Sequence, residues 1–324
     1  MTVNKILKDL GTTFLNFDKG FSFGPQGKLL RRNLEELWFR YCVIMPPYNV
    51  FLSSSETILA TLENLSSSGA TEQPIGIAVL EENKNTWNTD FIKTCPKINS
   101  HRTGKIIVIT DASEGKDVYH KKQRERKVWW RKFSREPARF QFTEVKKTSK
   151  QKETIEISAE FDFGSIIVET ISFQQDAKKL NSQNELENSH IVECIASLDW
   201  GCLALLCDAY SSGSSSHQLK LHPKLAPFKI GLYVPTLAEN ESDSKVSDRA
   251  RLVLYLNNHL KGKGVETVVT TKLEGMDTFH VPLMVTVDDM SLQNGIVYVW
   301  NRLTTLAEQV HITDLAKYVL SRCY

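Results

Sequence analysis

Long apolar runs are missing from this chain of 324 residues. The longest, near Cys194–Tyr210, is broken by Asp199. None approaches the roughly 20 apolar residues that a membrane span requires. A strong charge imbalance is missing too. The net charge is +2, so a nucleic-acid role must come from local basic patches, not from bulk attraction. The six cysteines contain no CxxC pair, which argues against a zinc site or a disulfide framework and for buried free thiols in a reducing compartment. The eight histidines show no metal-ligand spacing. No Ser–His–Asp order or paired-carboxylate context marks catalysis. The expectation is therefore no catalytic residue, no metal and no cofactor. No secretory apolar region is present. Lys5, Lys8, Ile6, Leu7 and Leu10 suggest a basic amphipathic turn, but Asp9 and Asp18 break the acid-poor pattern of an organelle presequence. The residues alone indicate an intracellular protein.

What is present is an ordinary balance, 41% hydrophobic and 24% charged, in a chain long enough for two cores. Phe23–Gly27 reads as a turn before a helix from Lys28 onward, with Leu30, Leu34, Leu37 and Trp38 on one face. A strand is expected at Tyr41–Ile44, ended by Pro46-Pro47. A short helix is expected over Ser53–Leu65, capped by Ser54 or Ser55. Ile75–Leu80 and Lys105–Thr110 are β-rich runs that suit an antiparallel pair. Val118–Phe133 is a basic helix, and Thr154–Ser158, Ser165–Ile171 and Ile191–Ser197 are strands. Cys202–Tyr210 reads as a buried helix.

A serine-rich break at Ser211–Ser216 separates residues 1–216 from residues 217–324. The segment Leu219–Leu232 then enters a new unit. Pro223 and Pro227 stiffen its approach to an apolar strand at Phe228–Val234. A helix over Val246–Leu260 follows, then strands at Val265–Thr271, Val281–Val287 and Ile296–Trp300, and a last helix capped by Thr313 or Asp314. This alternation implies a small doubly wound α/β sheet. His222 invites a metal reading that no neighbour supports. Asp288-Asp289 reads as a turn or helix cap.

Four blocks carry a resemblance: Phe23–Gly27 with Leu30–Leu34, Trp129–Phe133, Ser197–Leu206 and Leu219–Lys229. A softer block runs from Leu292 through Thr305 to Ile312. In this order they resemble the accessory subunits of mitochondrial DNA polymerase, a family similar to class IIa aminoacyl-tRNA synthetases. The resemblance implies an α/β chain with an α+β body. A class II synthetase-like antiparallel sheet domain would fill 1–216, and an anticodon-binding-like domain with a mixed five-stranded sheet would fill 217–324. It implies a mitochondrial location in the matrix nucleoid. It also implies binding to the catalytic subunit and to primer-template DNA. Synthetases neutralise ATP phosphates with arginines, a bidentate pairing that other residues do not replace. Here Trp200 stands at the motif 3 arginine position, and the motif 2 hairpin carries no Arg-x-Glu, with Arg102 the only arginine in the loop before Lys105. The body is expected to be inactive. The alternative is a divergent synthetase or a tRNA-binding factor.

The stretch His120–Arg135 holds eight basic residues and one Glu. Lys121, Lys122, Arg124, Arg126, Lys127, Arg131, Lys132 and Arg135 are the candidates for phosphate-backbone contact or for the acidic parts of a partner. Trp129 and Trp130 are assigned to packing. Leu221, Leu225, Pro227, Gly295, Val297 and Tyr298 are the candidates for contact with the catalytic subunit, Leu221 and Leu225 foremost. Vertebrate relatives pair through a helical insertion before the motif 2 hairpin. Only about 25 residues, Phe51–Ile75, fill that gap here, enough for one short helix. The expectation is a monomer that binds one catalytic subunit.

Overall fold

The computed structural model describes residues 2–17, 20–70, 72–89, 91, 98–149, 152–175, 188–212, 217–233, 243–272 and 278–324. It separates into two compact units, Met1–Asp208 and Ala209–Tyr324.

In the first unit, helix α1 (Val3–Leu10) buries Val3, Ile6, Leu7 and Leu10. Short strands β1 (Leu15–Asn16) and β2 (Ser22–Phe23) lead to helix α2 (Pro25–Phe39), which has proline at its start, where a missing N–H costs nothing. Tyr41–Ile44 is not the expected strand. The α2 backbone stays helical and widens into a π turn, Arg40–Ile44, in which the Met45 N–H reaches the Arg40 carbonyl. Pro46 and Pro47 follow this turn, and strand β3 begins at Val50 and runs to Ser53. Helix α3 (Ile58–Ser67) starts later than expected. Ser54 closes a turn with Thr57, and the Ser55 hydroxyl is held by Glu81 rather than capping a helix.

Strands β4 (Ile75–Lys84) and β5 (Ser100–Asp111) pair antiparallel as expected, from Ile75↔Ile109 to Lys84↔Ser100. Next come helix α4 (Gly115–Phe133) and strands β6 (Phe140–Phe142), β7 (Lys146–Ser149), β8 (Lys152–Phe161), β9 (Gly164–Gln174) and β10 (Ser189–Ser197). Together with β3 they form an eight-stranded sheet of order β3-β4-β5-β10-β9-β8-β6, with β7 also on β8. Among the described residues of this sheet, only the β3–β4 pair is parallel. Helix α5 (Leu198–Ala209) leaves β10 and is buried all round, with Asp199 and Asp208 the carboxylates among its apolar residues. Its close packing needs glycine. A Cβ on Gly201 would lie 2.4 Å from the Trp130 ring, and one on Gly104 of β5 would lie 2.5 Å from Trp38.

In the second unit, β11 (Tyr210–Ser212) and β12 (His217–Leu219) form a two-stranded ribbon. The five-stranded sheet comprises β13 (Ile230–Tyr233), β14 (Thr267–Thr270), β15 (Leu283–Thr286), β16 (Ile296–Asn301) and β17 (Ala307–His311), in the order β14-β13-β15-β16-β17. Its first three strands are parallel and the last two antiparallel, so the sheet is mixed. Strand β17 was not expected, because Ala307–Gln309 are all exposed and only Val310 faces inward. Helices α6 (Asp243–Gly262) and α8 (Leu315–Cys323) pack Val253, Leu256, Leu260, Leu315 and Val319 onto Ile230, Val285 and Val299. Asp288 caps the short helix α7 (Asp289–Asn294) through a reciprocal bond with Ser291, and Gly295 ends it at φ 71°.

Candidate functional site

The synthetase-like face of the sheet is built where β5, β10 and α5 meet. Trp200 takes the first turn of α5 and is fully buried. Its ring meets Phe21 at 4.9 Å and Phe91 at 5.3 Å, both edge-on, and its indole N–H donates to Asn85 Oδ1 at 3.2 Å. An aromatic cluster thus occupies the position at which the resemblance places an arginine. Asp199 beside it is buried and accepts the Arg102 backbone N–H at 2.7 Å. Burial pushes its carboxyl up to about 6, against the pull of that N–H and of Arg31. Arg31 lies 3.6 Å from Asp199 and 3.9 Å from Glu82. Arg102 sits on β5, not in the loop before it, and grips Glu35 through Nε at 3.1 Å and Nη2 at 3.2 Å. Two arginines therefore meet three carboxylates of the same chain. A triphosphate would have to displace those pairs and face their surplus negative charge. His101, next along β5, bonds Ser197 Oγ at 2.8 Å, and burial lowers its pKa to about 4, so it stays neutral.

Helix α4 divides its cations between two faces. Arg126 is 4% exposed and bound to Glu169 through Nε at 2.7 Å and Nη2 at 3.1 Å. Trp130 Nε1 donates to the same carboxylate at 2.6 Å, and Arg126 Nη1 reaches Cys42 Sγ at 3.2 Å. Arg126 is thus removed from the candidate DNA contacts: it anchors α4 to the sheet. A β-bulge makes this possible. The β8–β9 register shifts between Ile157 and Ser158, so Val168 and Glu169 in succession are both buried. Simple alternation after Ile166 and Val168 would have turned Glu169 outward, which is why the partner escaped sequence reasoning. The signal was there: one carboxylate inside the run Ile166–Ile171.

Four further candidates have partners within the chain, among them Lys132, whose ammonium donates to the Tyr41 hydroxyl at 2.6 Å. Lys122 binds Glu125 at 2.8 Å, Lys127 lies 4.4 Å over the Phe142 ring, and Arg131 Nε donates to the Phe140 carbonyl at 3.0 Å. Lys121, Arg124, Lys132 and Arg135 are exposed and, with Val128, follow one outer stripe of the helix and its end. Trp129 and Trp130 are buried, 4.8 Å apart, and serve packing.

The expected partner contacts in the second unit also change. Leu221 and Leu225 are 5% and 0% exposed, and Pro227 is buried as well. The reason lies in Lys229. It is buried, and its ammonium gathers the carbonyls of Pro223 at 3.3 Å, Lys224 at 2.8 Å and Ala226 at 2.9 Å. This pins the proline turn closed. His222 Nδ1 accepts the Lys224 N–H and has a structural part in the same turn. On β16 Val297 faces the core and Gly295 is half-buried, while Tyr298 is 41% exposed. Exposed Leu303 and Leu306 lie beyond it in the β16–β17 turn.

The described cysteines, Cys42, Cys194, Cys202, Cys207 and Cys323, are buried free thiols, as expected. Cys95 lies outside the described residues. Among the described residues no group of three or more His, Cys, Asp or Glu could hold a metal ion, and no helix is long and apolar enough to cross a membrane.

An eight-stranded body, antiparallel but for its β3–β4 edge, followed by a mixed five-stranded unit defines a synthetase-like α/β protein, with an aromatic cluster at its motif 3 position. Comparison bears this out. The chain is 28% identical to a glycine–tRNA ligase of Borreliella burgdorferi over 52% of its length and 42% of the ligase. It is also similar to the polymerase accessory subunits that the sequence blocks resemble. With DNA polymerase subunit gamma-2 of Mus musculus the identity is 24%, over 92% of this chain and 82% of the mouse protein. With the mitochondrial DNA polymerase subunit gamma-2 of Drosophila melanogaster it is 25%, over 63% of this chain and 62% of the fly protein. The fly match thus spans less than two-thirds of that relative. The mouse alignment runs over 383 positions, more than the chain's 324, so the mouse protein carries residues within the match that this chain lacks. No family model matches the chain.

Proposed function

We propose that this protein is a non-catalytic accessory subunit of the mitochondrial replicative DNA polymerase. The similarity that reaches 92% of the chain carries this reading. The subunit docks on the catalytic chain and keeps it on primer-template DNA. Its gain is residence: tethering raises effective concentration and slows departure. Docking falls to the second unit, where Tyr298, Leu303 and Leu306 present apolar surface. Exposed Lys121, Arg124 and Arg135 add positive potential for phosphate. The protein works in the mitochondrial matrix, at the nucleoid, as a monomer with one catalytic subunit. Co-purification with the mitochondrial polymerase catalytic chain tests this, and Tyr298→Ala with Leu306→Ser should weaken the complex. Recovery of the protein without that chain counts against it.

A second reading, a divergent synthetase or tRNA-binding factor, draws on the similarity to glycine–tRNA ligase. It requires ATP–pyrophosphate exchange with an amino acid, or tRNA retention without polymerase. The self-paired arginines and buried Trp200 lead us to expect no exchange.

A further inference from the structure

The π turn that ends α2 leaves an apolar wall exposed. Ile44 is 67% exposed and Met45 56%, and Pro46 and Pro47 follow. Across from it stands Val128 of α4, at 63% exposure. Met45, Pro46, Pro47 and Val128 line one groove of about 380 Å³. Ordinary surfaces scatter single apolar residues. Here they share a concave site, which is what marks a binding surface.

The charge around the groove is net positive: Glu125 lines it too, but Lys122 takes up its carboxylate at 2.8 Å. Val128 lies on the outer stripe of α4 between Arg124 and Lys132, one helical turn either way, with Lys121 further along. Of the cations that line the groove, Arg126 is neutralised by Glu169 and Lys122 by Glu125. Lys132 donates at 2.6 Å to the Tyr41 hydroxyl, a neutral group, and keeps its charge for an outside partner.

Three occupants can be weighed. Duplex DNA would use the cations but leave Met45, Pro47 and Val128 in water. A second copy would use the apolar wall, but a two-fold contact sets the same basic stripe near itself, and like charges across an interface oppose association. A polypeptide with an apolar side chain flanked by carboxylates satisfies both features. We propose that the groove between Met45–Pro47 and Val128 docks a short acidic segment of another protein, anchored by one large apolar side chain. This chemistry names the segment and not the chain that carries it, so it stands apart from the polymerase reading.

Fluorescence anisotropy with the full chain tests it. The probes are a labelled peptide with a Leu-Trp core flanked by Glu, the same peptide with Lys flanks, a Glu-rich peptide with a Ser core, and a short duplex DNA. The Glu-flanked apolar peptide should bind at least about tenfold more tightly than either control peptide. Val128→Asp should weaken it by about tenfold or more, and Met45→Ser should weaken it less, with unchanged thermal melting in both. Equal binding of all the peptides overturns the proposal. So does binding of the duplex alone, with steep salt dependence and no loss in Met45→Ser, and so does failure of every probe to bind.

Discussion

Two sets of cations in the first unit differ in what their own chain supplies to them. On the synthetase-like face, Arg31 and Arg102 each meet carboxylates of their own chain, and Trp200 closes the space between aromatic rings. Along the outer stripe of α4, Lys121, Arg124 and Lys132 face solvent. The difference shows that a count of basic residues does not identify a ligand surface. What decides is whether the chain has already supplied the opposite charge. The same contrast runs through α4 itself, since Arg126 points inward to Glu169 while Arg124, two positions earlier, is exposed.

The comparison is broken most severely at Arg126. Arg126→Ala leaves Glu169 buried without its charge partner and should cost about 3–5 kcal/mol in urea unfolding. Arg126→Met with Glu169→Leu together should recover much of that loss, because a buried pair exchanged for apolar groups is often neutral. Trp200→Arg restores the synthetase residue type but places a cation among Phe21 and Phe91. It should cost about 3 kcal/mol or more and yield no ATP–pyrophosphate exchange.

The acid dependence of stability sharpens the picture of the inner face. His101 has its pKa lowered by burial to about 4, so the stability linked to its neutral form is present above pH 6.5 and lost as pH falls toward 4. Asp199 has its carboxyl raised by burial from 3.8 to about 6, so its contribution is present below pH 3.8 and lost as pH rises through 6. The two oppose each other in the same window. His101→Gln should flatten the acid-side loss between pH 6.5 and 4, and Asp199→Asn should steepen it, by up to about 3 kcal/mol in each case. Thermal melting across that range reads both. The smallest effect belongs to the outer stripe. Lys121→Ala with Arg124→Ala should change stability by less than about 0.5 kcal/mol yet reduce binding to primer-template DNA and its salt dependence.

Much of the fold was legible because strands and helices here follow simple periods. The β4–β5 pair, α4, β10 and strand β13 after Pro227 follow from apolar spacing and proline placement. Three features were not. The π turn at Arg40–Ile44 reads locally as a β-rich run, and the continuing helix overrides it. The bulge that aims Glu169 inward shifts the alternation by one residue, and its trace in the sequence is a single carboxylate in the run Ile166–Ile171. Leu221 and Leu225 looked like surface because they sit in a proline-bearing loop. The Lys229 ammonium closes that loop from within, a contact between residues several positions apart whose charge alone suggests exposure. Trp200 was legible as a substitution in a motif. That it would sit among Phe21 and Phe91 required the fold.

Primer extension by the mitochondrial polymerase catalytic chain, with an excess of trap DNA added at the start of synthesis, tests the central claim most directly. Added protein should lengthen the products of a single binding event, and the gain should fall in the variant that combines Tyr298→Ala and Leu306→Ser. Product lengths that do not change when the protein is added would contradict the account.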